Sequence, residues 1–399
     1  MGRDANSKWH VLVLVSLSFF FANAERLCLP VLFEEIIQDL HMSLVQVGAV
    51  WGIDPLGGIL VSLFSGLLID RFGVKRTITV IILFSGVFGI LRSQAVGFKS
   101  LLFANFLFGL LVATTPTVLP KVVALWFRGR YLGTVNGIIT TVNCSGGMFA
   151  SITSATLFSP LLGGWRNVLI LYGLPPIVLS FLWLLSYREP REKISPVIHQ
   201  NTTSFQQALS HVVRIRGVWI IGVLQFGAFG AYTGVLGYLP LYLREIGWNP
   251  LLADSAVMVL IGAMGACAIP ISILSDRLRS RTNILFILLI GLGISLCLLP
   301  WVKGFGIWLL VFVSGLMIGG MVPTTMATIM ELKGVGSRYV GTAFGMGASF
   351  SMVGAVISPP LGNSIAQFHT GLPFVFWGIM AGGATVALLF MRDSATEAQ

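Results

Sequence analysis

Charge is scarce in this chain: Asp, Glu, Lys and Arg make up 10% of its 399 residues. A water-soluble domain carries closer to about a quarter, which argues against a wholly aqueous fold. Cysteine is also sparse. Cys28, Cys144, Cys267 and Cys297 are the four, all within apolar stretches, with neither metal-ligand spacing nor the loop positions of a disulfide framework; they read as small packing residues. The 5 histidines are scattered. No nucleophile stands beside a base and no glycine-rich loop ends in a phosphate-binding lysine, so the chain reads as no enzyme, with no cofactor or metal and no ATP as its energy source.

What is abundant is apolar surface, at 55% of residues and a mean hydropathy of +0.89. A helix crossing about 30 Å of hydrocarbon needs about 20 mostly apolar residues. Twelve stretches meet that length: 11–37, 43–69, 77–96, 98–127, 132–158, 166–186, 217–243, 252–275, 282–300, 305–331, 339–363 and 373–391. The first has no small-residue cleavage site, and its apolar run continues past Glu25 and Arg26 to Phe33. It is therefore expected to stay in the mature protein.

The formal net charge of +10 would suit a nucleic-acid partner were it clustered on one surface. It is instead distributed by loop. Of the 25 lysines and arginines, Arg92, Lys99, Arg166, Arg244 and Lys303 fall in loops of one side, Arg26 and Lys121 lie within helices, and the remaining 18 fall on the other side. That is the positive-inside bias. Both termini are expected in the cytoplasm, the chain in the inner membrane of a cell, and no nucleic acid is expected as partner.

A polar stretch at 189–216 divides the sequence into a bundle at 1–188 and a second at 217–399, with a cytoplasmic central loop between. The halves repeat at an offset of about 206 to 210. Leu29-Pro30-Val31-Leu32-Phe33-Glu34-Glu35-Ile36 matches Leu239-Pro240-Leu241-Tyr242-Leu243-Arg244-Glu245-Ile246, Asp70-Arg71 matches Asp276-Arg277, and Arg130-Tyr131-Leu132-Gly133-Thr134 matches Arg338-Tyr339-Val340-Gly341-Thr342. Three matches in the same order indicate duplication. The fold class is all-α: a membrane protein of twelve transmembrane helices in two pseudo-symmetric six-helix bundles.

Gly66-Leu67-Leu68-Ile69-Asp70-Arg71-Phe72-Gly73-Val74-Lys75-Arg76 resembles the loop signature between helices 2 and 3 of the major facilitator superfamily, and the resemblance covers essentially the whole chain. Ser272 to Arg281 is a weaker second copy with both glycines replaced. The resemblance implies alternating access, in which Gly66, Asp70, Arg71, Gly73, Arg76, Asp276 and Arg277 form a conformational latch. From the residues, a plain topological anchor stays open, because basic residues hold such a loop at the cytoplasmic surface.

Ionisable groups at membrane depth point to the substrate, since an unpaired charge there costs at least about 2.5–3.5 kcal/mol. Helical rise places Glu25 and Arg26 about 5 Å, and Asp54 about 3 Å, outward of the midpoints of their segments. At an offset of 210, Glu25 and Arg26 fall opposite Val235 and Leu236, so these charges belong to one half only. Arg26 is the leading anion ligand, because its planar fork donates two parallel bonds to a carboxylate; Glu25 and Asp54 are candidates for proton coupling. A structural ion pair between Arg26 and Asp54 is the competing reading.

Asn23-Ala24-Glu25-Arg26 is similar to the acidic-then-arginine stretch of the anion:cation symporter branch, which implies an organic anion at that arginine. Pro116-Thr117-Val118-Leu119-Pro120-Lys121 resembles the cyanate-permease branch. Lys121 lines an inner vestibule or snorkels to cytoplasmic water. Gln225, Tyr232, Tyr238 and Asn143 are further substrate-binding candidates, with helix-packing hydrogen bonds as the alternative role for each.

The leading expectation is a monomeric secondary transporter that moves a small, carboxylate-like organic anion with protons as coupling ion. Efflux of drugs or metabolites by proton antiport fits the same architecture, although Asn143-Cys144-Ser145-Gly146-Gly147 stands where such exporters carry a Gly-Pro pair. A non-transporting membrane sensor would be expected to append a signalling domain, and neither terminus carries one.

Overall fold

The computed structural model describes residues 2–127, 131–187, 205–278 and 281–390, with no strand among them. The first half holds α1 (Gly2–Leu40), α2 (Leu44–Phe72), α3 (Val74–Leu91), α4 (Phe98–Val112), α5 (Thr115–Trp126), α6 (Tyr131–Thr153), α7 (Ser159–Leu162) and α8 (Trp165–Ser186). The short α9 (Phe205–Val212) precedes α10 (Arg216–Glu245), α11 (Pro250–Leu278), α12 (Arg281–Leu298), α13 (Phe305–Glu331), α14 (Gly336–Ile365) and α15 (Leu372–Ala384). Nine helices are long and apolar enough to cross a membrane among the described residues. The remaining three sequence segments are α2, the α4–α5 pair and the α6–α7 pair.

Two of those segments are not the continuous helices the sequence suggested. The 98–127 stretch breaks at Ala113 and Thr114. Pro116 has no N–H for the Val112 carbonyl, and Pro120 has none for Pro116, so the ladder is interrupted twice. The 132–158 stretch passes through a π-helical turn at Ser154–Phe158 into α7. There Pro160 denies a donor to Thr156, and the wider turn accommodates the loss. The polar stretch at 189–216 contains α9: Val212 is fully buried beside Val218, Ile221 and Val335, and the His211 ring stacks on Tyr339 at 4.3 Å and hydrogen-bonds the Gly334 carbonyl at 2.8 Å.

Two compact units result, Met1–Val197 with Leu243–Met258, and Ile198–Tyr242 with Val259–Gln399. The end of α10 and the start of α11, Leu243–Met258, thus belong to the first unit. Arg244 lies in that segment. Read from sequence as a loop cation, it is 8% exposed and donates to the Val31 carbonyl at 3.0 Å, to Glu34 Oε2 at 3.1 Å and to Asp254 Oδ1 at 2.6 Å.

Within each unit the same helix pairs touch backbone to backbone at a glycine. A Cβ on Gly109 of α4 would lie 2.8 Å from Asp54 Cα of α2, and one on Gly315 of α13 would lie 3.1 Å from the Leu260 carbonyl carbon of α11. Gly146 of α6 meets Phe20 of α1 as Gly354 of α14 meets Phe226 of α10. Gly86 of α3 meets Gly173 of α8 as Gly293 of α12 meets Gly378 of α15. The offsets are 205 to 208 residues, so the duplication seen in loop motifs is also a duplication of packing. Small residues serve this purpose in lipid, where close backbone approach and dispersion replace the hydrophobic drive between helices.

Candidate functional site

One set of buried ionic groups in the first unit lies around the middle of α1. Asn23 and Arg26, three residues apart, share one face of the helix. Asn23 Nδ2 donates to the Asn143 carbonyl of α6 at 2.7 Å, and Arg26 Nε donates to Asp54 Oδ2 of α2 at 2.5 Å. The Arg26 guanidinium also lies 5.5 Å from the centroid of the Trp51 ring. Asp54 is 5% exposed and Arg26 34%: the carboxylate side chain is buried while the arginine side chain is in part exposed. Among the described residues no hydrogen bond engages Arg26 Nη1 or Nη2.

Backbone chemistry concentrates at the same level. Pro30 has no N–H for the Arg26 carbonyl, and Pro55 none for the Trp51 carbonyl, so both helices lose a rung beside the ion pair and can bend there. Gly109 allows α4 to press on α2 at Asp54, its missing side chain leaving room for Asp54 Oδ1.

Glu25 is one step along the same helix and faces elsewhere, about 100° round the axis. The sequence put it at the depth of Arg26 and Asp54 and gave no direction for its side chain. Its side chain is fully buried, its carboxyl oxygens have no hydrogen-bond partner among the described residues, and Oε1 fills the space above Gly89 of α3. The cation bound to its main-chain carbonyl is Arg92, which the loop count had assigned to the outer surface. It is instead fully buried at the end of α3. Arg92 donates to the Glu25 carbonyl oxygen at 2.9 Å, to Asn105 Oδ1 of α4 at 3.4 Å and to the Gly89 carbonyl at 3.4 Å, and its guanidinium lies 3.8 Å from the Phe108 ring centroid. Sequence reasoning missed Arg92, Asn105 and Trp51. An arginine in Leu91-Arg92-Ser93 at the end of an apolar run gives no sign of whether it turns to water or inward.

The other predicted residues are separated. Gln225 is buried in the second unit, where it accepts a 2.9 Å hydrogen bond from Ser351 and lies against Gly347. Tyr232 is half-buried on the same helix. Tyr238 is fully buried in a cluster with Tyr242, Phe374 and Trp377 and donates its hydroxyl to the Thr370 carbonyl at 3.0 Å. Asn143 contributes its main-chain carbonyl, as above. By the packing offset of 206 that relates Phe20 to Phe226, Arg26 stands opposite Tyr232; by the offset of 210 at Pro30 and Pro240 it stands opposite Leu236. The two registers differ by four residues, close to one helical turn, so both put an uncharged residue on the corresponding face.

Of the latch residues, Gly73 caps α3 with φ 79°, a conformation in which a side chain is strained. Arg71, beside the Phe72 ring, Arg76 and Arg277 are exposed. The side chains of Lys121, Asp70 and Asp276, and the surroundings of Gly66, lie outside the described residues.

The sequence matches the Major Facilitator Superfamily profile over residues 14–344 and 263–399. The chain belongs to that family, whose members are multi-pass membrane transporters and not enzymes. It is 24% identical to a probable nitrate/nitrite antiporter of Thermus thermophilus over 98% of this chain and 92% of that one. It is 25% identical to the 3-(3-hydroxy-phenyl)propionate transporter of Escherichia coli, over 98% and 96%. A probable galactarate/D-glucarate transporter of Bacillus subtilis is 29% identical over 48% of this chain and 43% of its own. Among solved structures, a bacterial homologue of the human lysosomal transporter Spinster superposes with a TM-score of 0.73 at 13% identity, over 96% and 94% of the two chains. That likeness concerns the fold.

Proposed function

We propose that this protein is a proton-coupled transporter of a small organic anion, with Arg26 as the anion ligand. The observation that carries the reading is the partly exposed Arg26 side chain, held by Asp54 through Nε, with its guanidinium 5.5 Å from the Trp51 ring centroid and its terminal nitrogens outside any described bond. A carboxylate accepts the two parallel bonds that such a fork offers. Asp54 holds the fork in place without occupying it. The relatives that carry organic acids support the same substrate class. Glu25, sealed and unpartnered, is the proton carrier, and Asp54 the counter-ion that keeps Arg26 oriented between substrates. Gly73, Arg71 and Arg76, with Asp70, Asp276 and Arg277, serve the inner latch. The lysine and arginine distribution supports cytoplasmic termini in the inner membrane.

The test is binding and counterflow by purified protein in liposomes, with 3-(3-hydroxyphenyl)propionate, D-glucarate and nitrate as probes. Arg26→Gln is expected to weaken binding of the recognised anion by about tenfold or more, since bonds to a charged group contribute about 1.5–3 kcal/mol. Parental affinity in Arg26→Gln would overturn the assignment. Glu25→Gln is expected to keep counterflow and lose accumulation driven by a proton gradient.

A further inference from the structure

Glu25 and Arg26 are neighbours in sequence, yet their side chains leave α1 on different sides, so proton and anion would be handled in two separate compartments. A transporter in which the two are coupled needs a physical connection between those compartments. One closed ring of contacts supplies it. From the Glu25 carbonyl the path runs to Arg92 at 2.9 Å, from Arg92 to Asn105 Oδ1 at 3.4 Å, and from Asn105 Nδ2 to the Val50 carbonyl of α2 at 2.6 Å. Val50 is one turn before Asp54 on the same face of α2, and Asp54 closes the ring on Arg26.

We propose that Arg92 and Asn105 are positioning residues that transmit the charge state of Glu25 to the Arg26–Asp54 anion site. This rests on the function proposed above and adds the route. The bonds explain how it works. A charged donor normally reaches its acceptor at about 2.7–2.9 Å, whereas Arg92 holds Asn105 Oδ1 and the Gly89 carbonyl at 3.4 Å; those two bonds are long and readily exchanged. Among the described residues, the groups facing the Glu25 carboxyl are Arg92 from α3 and Cys28 from α1, with Tyr172 of α8 beyond Cys28 and the neutral Asn105 and Phe108 from α4 around Arg92.

When Glu25 gives up its proton, the new carboxylate has one cation within reach. Arg92 turns toward it and releases Asn105 Oδ1. Asn105 then loses one of the two anchors that fix its amide against Val50. Pro55 lies inside α2 and, having no N–H to give to the helical ladder, allows a bend at that turn. Asp54 sits in it, so its grip on Arg26 changes with the charge of Glu25, and by reciprocity an anion on Arg26 changes how firmly Glu25 holds its proton.

The experiment counts protons taken up per anion bound, from calorimetric binding enthalpies in buffers of different ionisation enthalpy. The ligand is 3-(3-hydroxyphenyl)propionate or whichever of the three probes binds in an Arg26-dependent way. The parental protein is expected to take up protons on binding and Glu25→Gln to take up none. Asn105→Leu and Asn105→Ser leave the Glu25, Arg92 and Arg26 side chains unaltered and remove both links of the relay, the Oδ1 acceptor for Arg92 and the Nδ2 donor to the Val50 carbonyl. Both are expected to bind within tenfold of the parental affinity while proton uptake falls by at least half. Two Asn105 variants that keep the parental proton count would overturn the relay. A parental protein that binds with no proton uptake would overturn the proton-coupled reading itself, a separate outcome.

Discussion

The space above Gly89 gives the most direct test of where Glu25 points. A Cβ built there would fall within bonding distance of Glu25 Oε1 and 2.6 Å from Cδ, whereas no atom outside the Glu25 side chain comes nearer than 3.3 Å. Gly89→Ala must therefore displace the carboxyl, and a fully buried side chain has little room to move. Overpacking of this kind costs about 1–3 kcal/mol, against which alanine recovers up to about 1 kcal/mol of helix propensity. In a Glu25→Ala background the obstruction is gone and only the propensity gain remains. The two substitutions are thus expected to couple, with an interaction of about 1–3 kcal/mol in which Gly89→Ala is destabilising alone and neutral or stabilising with Glu25→Ala. Reversible unfolding in mixed micelles, followed by tryptophan fluorescence, measures all four corners of the cycle. Additive effects would refute the reasoning, because they would mean that the Glu25 carboxyl does not occupy the space over Gly89.

Gly109→Ala puts a Cβ 2.8 Å from both Cα and Oδ1 of Asp54. It is expected to weaken anion binding about tenfold by moving Asp54 off Arg26, as well as to lower stability by about 1–3 kcal/mol; undiminished affinity in a folded variant would separate the α2–α4 contact from the site. Tyr238→Phe removes the hydroxyl that bonds the Thr370 carbonyl. A loss of about 0.5–1.5 kcal/mol in unfolding free energy is expected, with counterflow kinetics unchanged; a raised KM would return Tyr238 to the substrate.

Much of the architecture was legible as sequence because lipid imposes simple rules. Every backbone polar group must be satisfied within its own helix, so length and apolarity reveal the spans, and loop charge orients them. The two halves showed in Pro30 and Pro240, Asp70 and Asp276, and Gly133 and Gly341. Arg26 and Asp54 could be paired in prospect, because two opposite charges at one depth on adjacent helices have few other partners. The breaks at Ala113–Thr114 and Ser154–Phe158 were less visible: proline removes a donor, but the neighbouring helices decide whether the chain bends, widens or stops there.

Direction within a bundle was not legible. Glu25 and Arg26 differ by one residue and about 100° of rotation, and what each side chain meets depends on helices distant in sequence: α2 for Arg26, α3 and its Gly89 for Glu25. Arg92 reads as a loop cation until α1 and α4 supply a carbonyl, an amide oxygen and the Phe108 ring to receive it. Arg244 likewise turns inward only because Val31, Glu34 and Asp254 are there. The sequence by itself determined the spans and the repeat, since spans follow from the cost of exposing polar groups to hydrocarbon and the repeat shows in matched motifs. Only the tertiary structure decided which charges meet, because a lone arginine or carboxylate takes its role from the acceptors and donors that packing brings within about 3 Å of it.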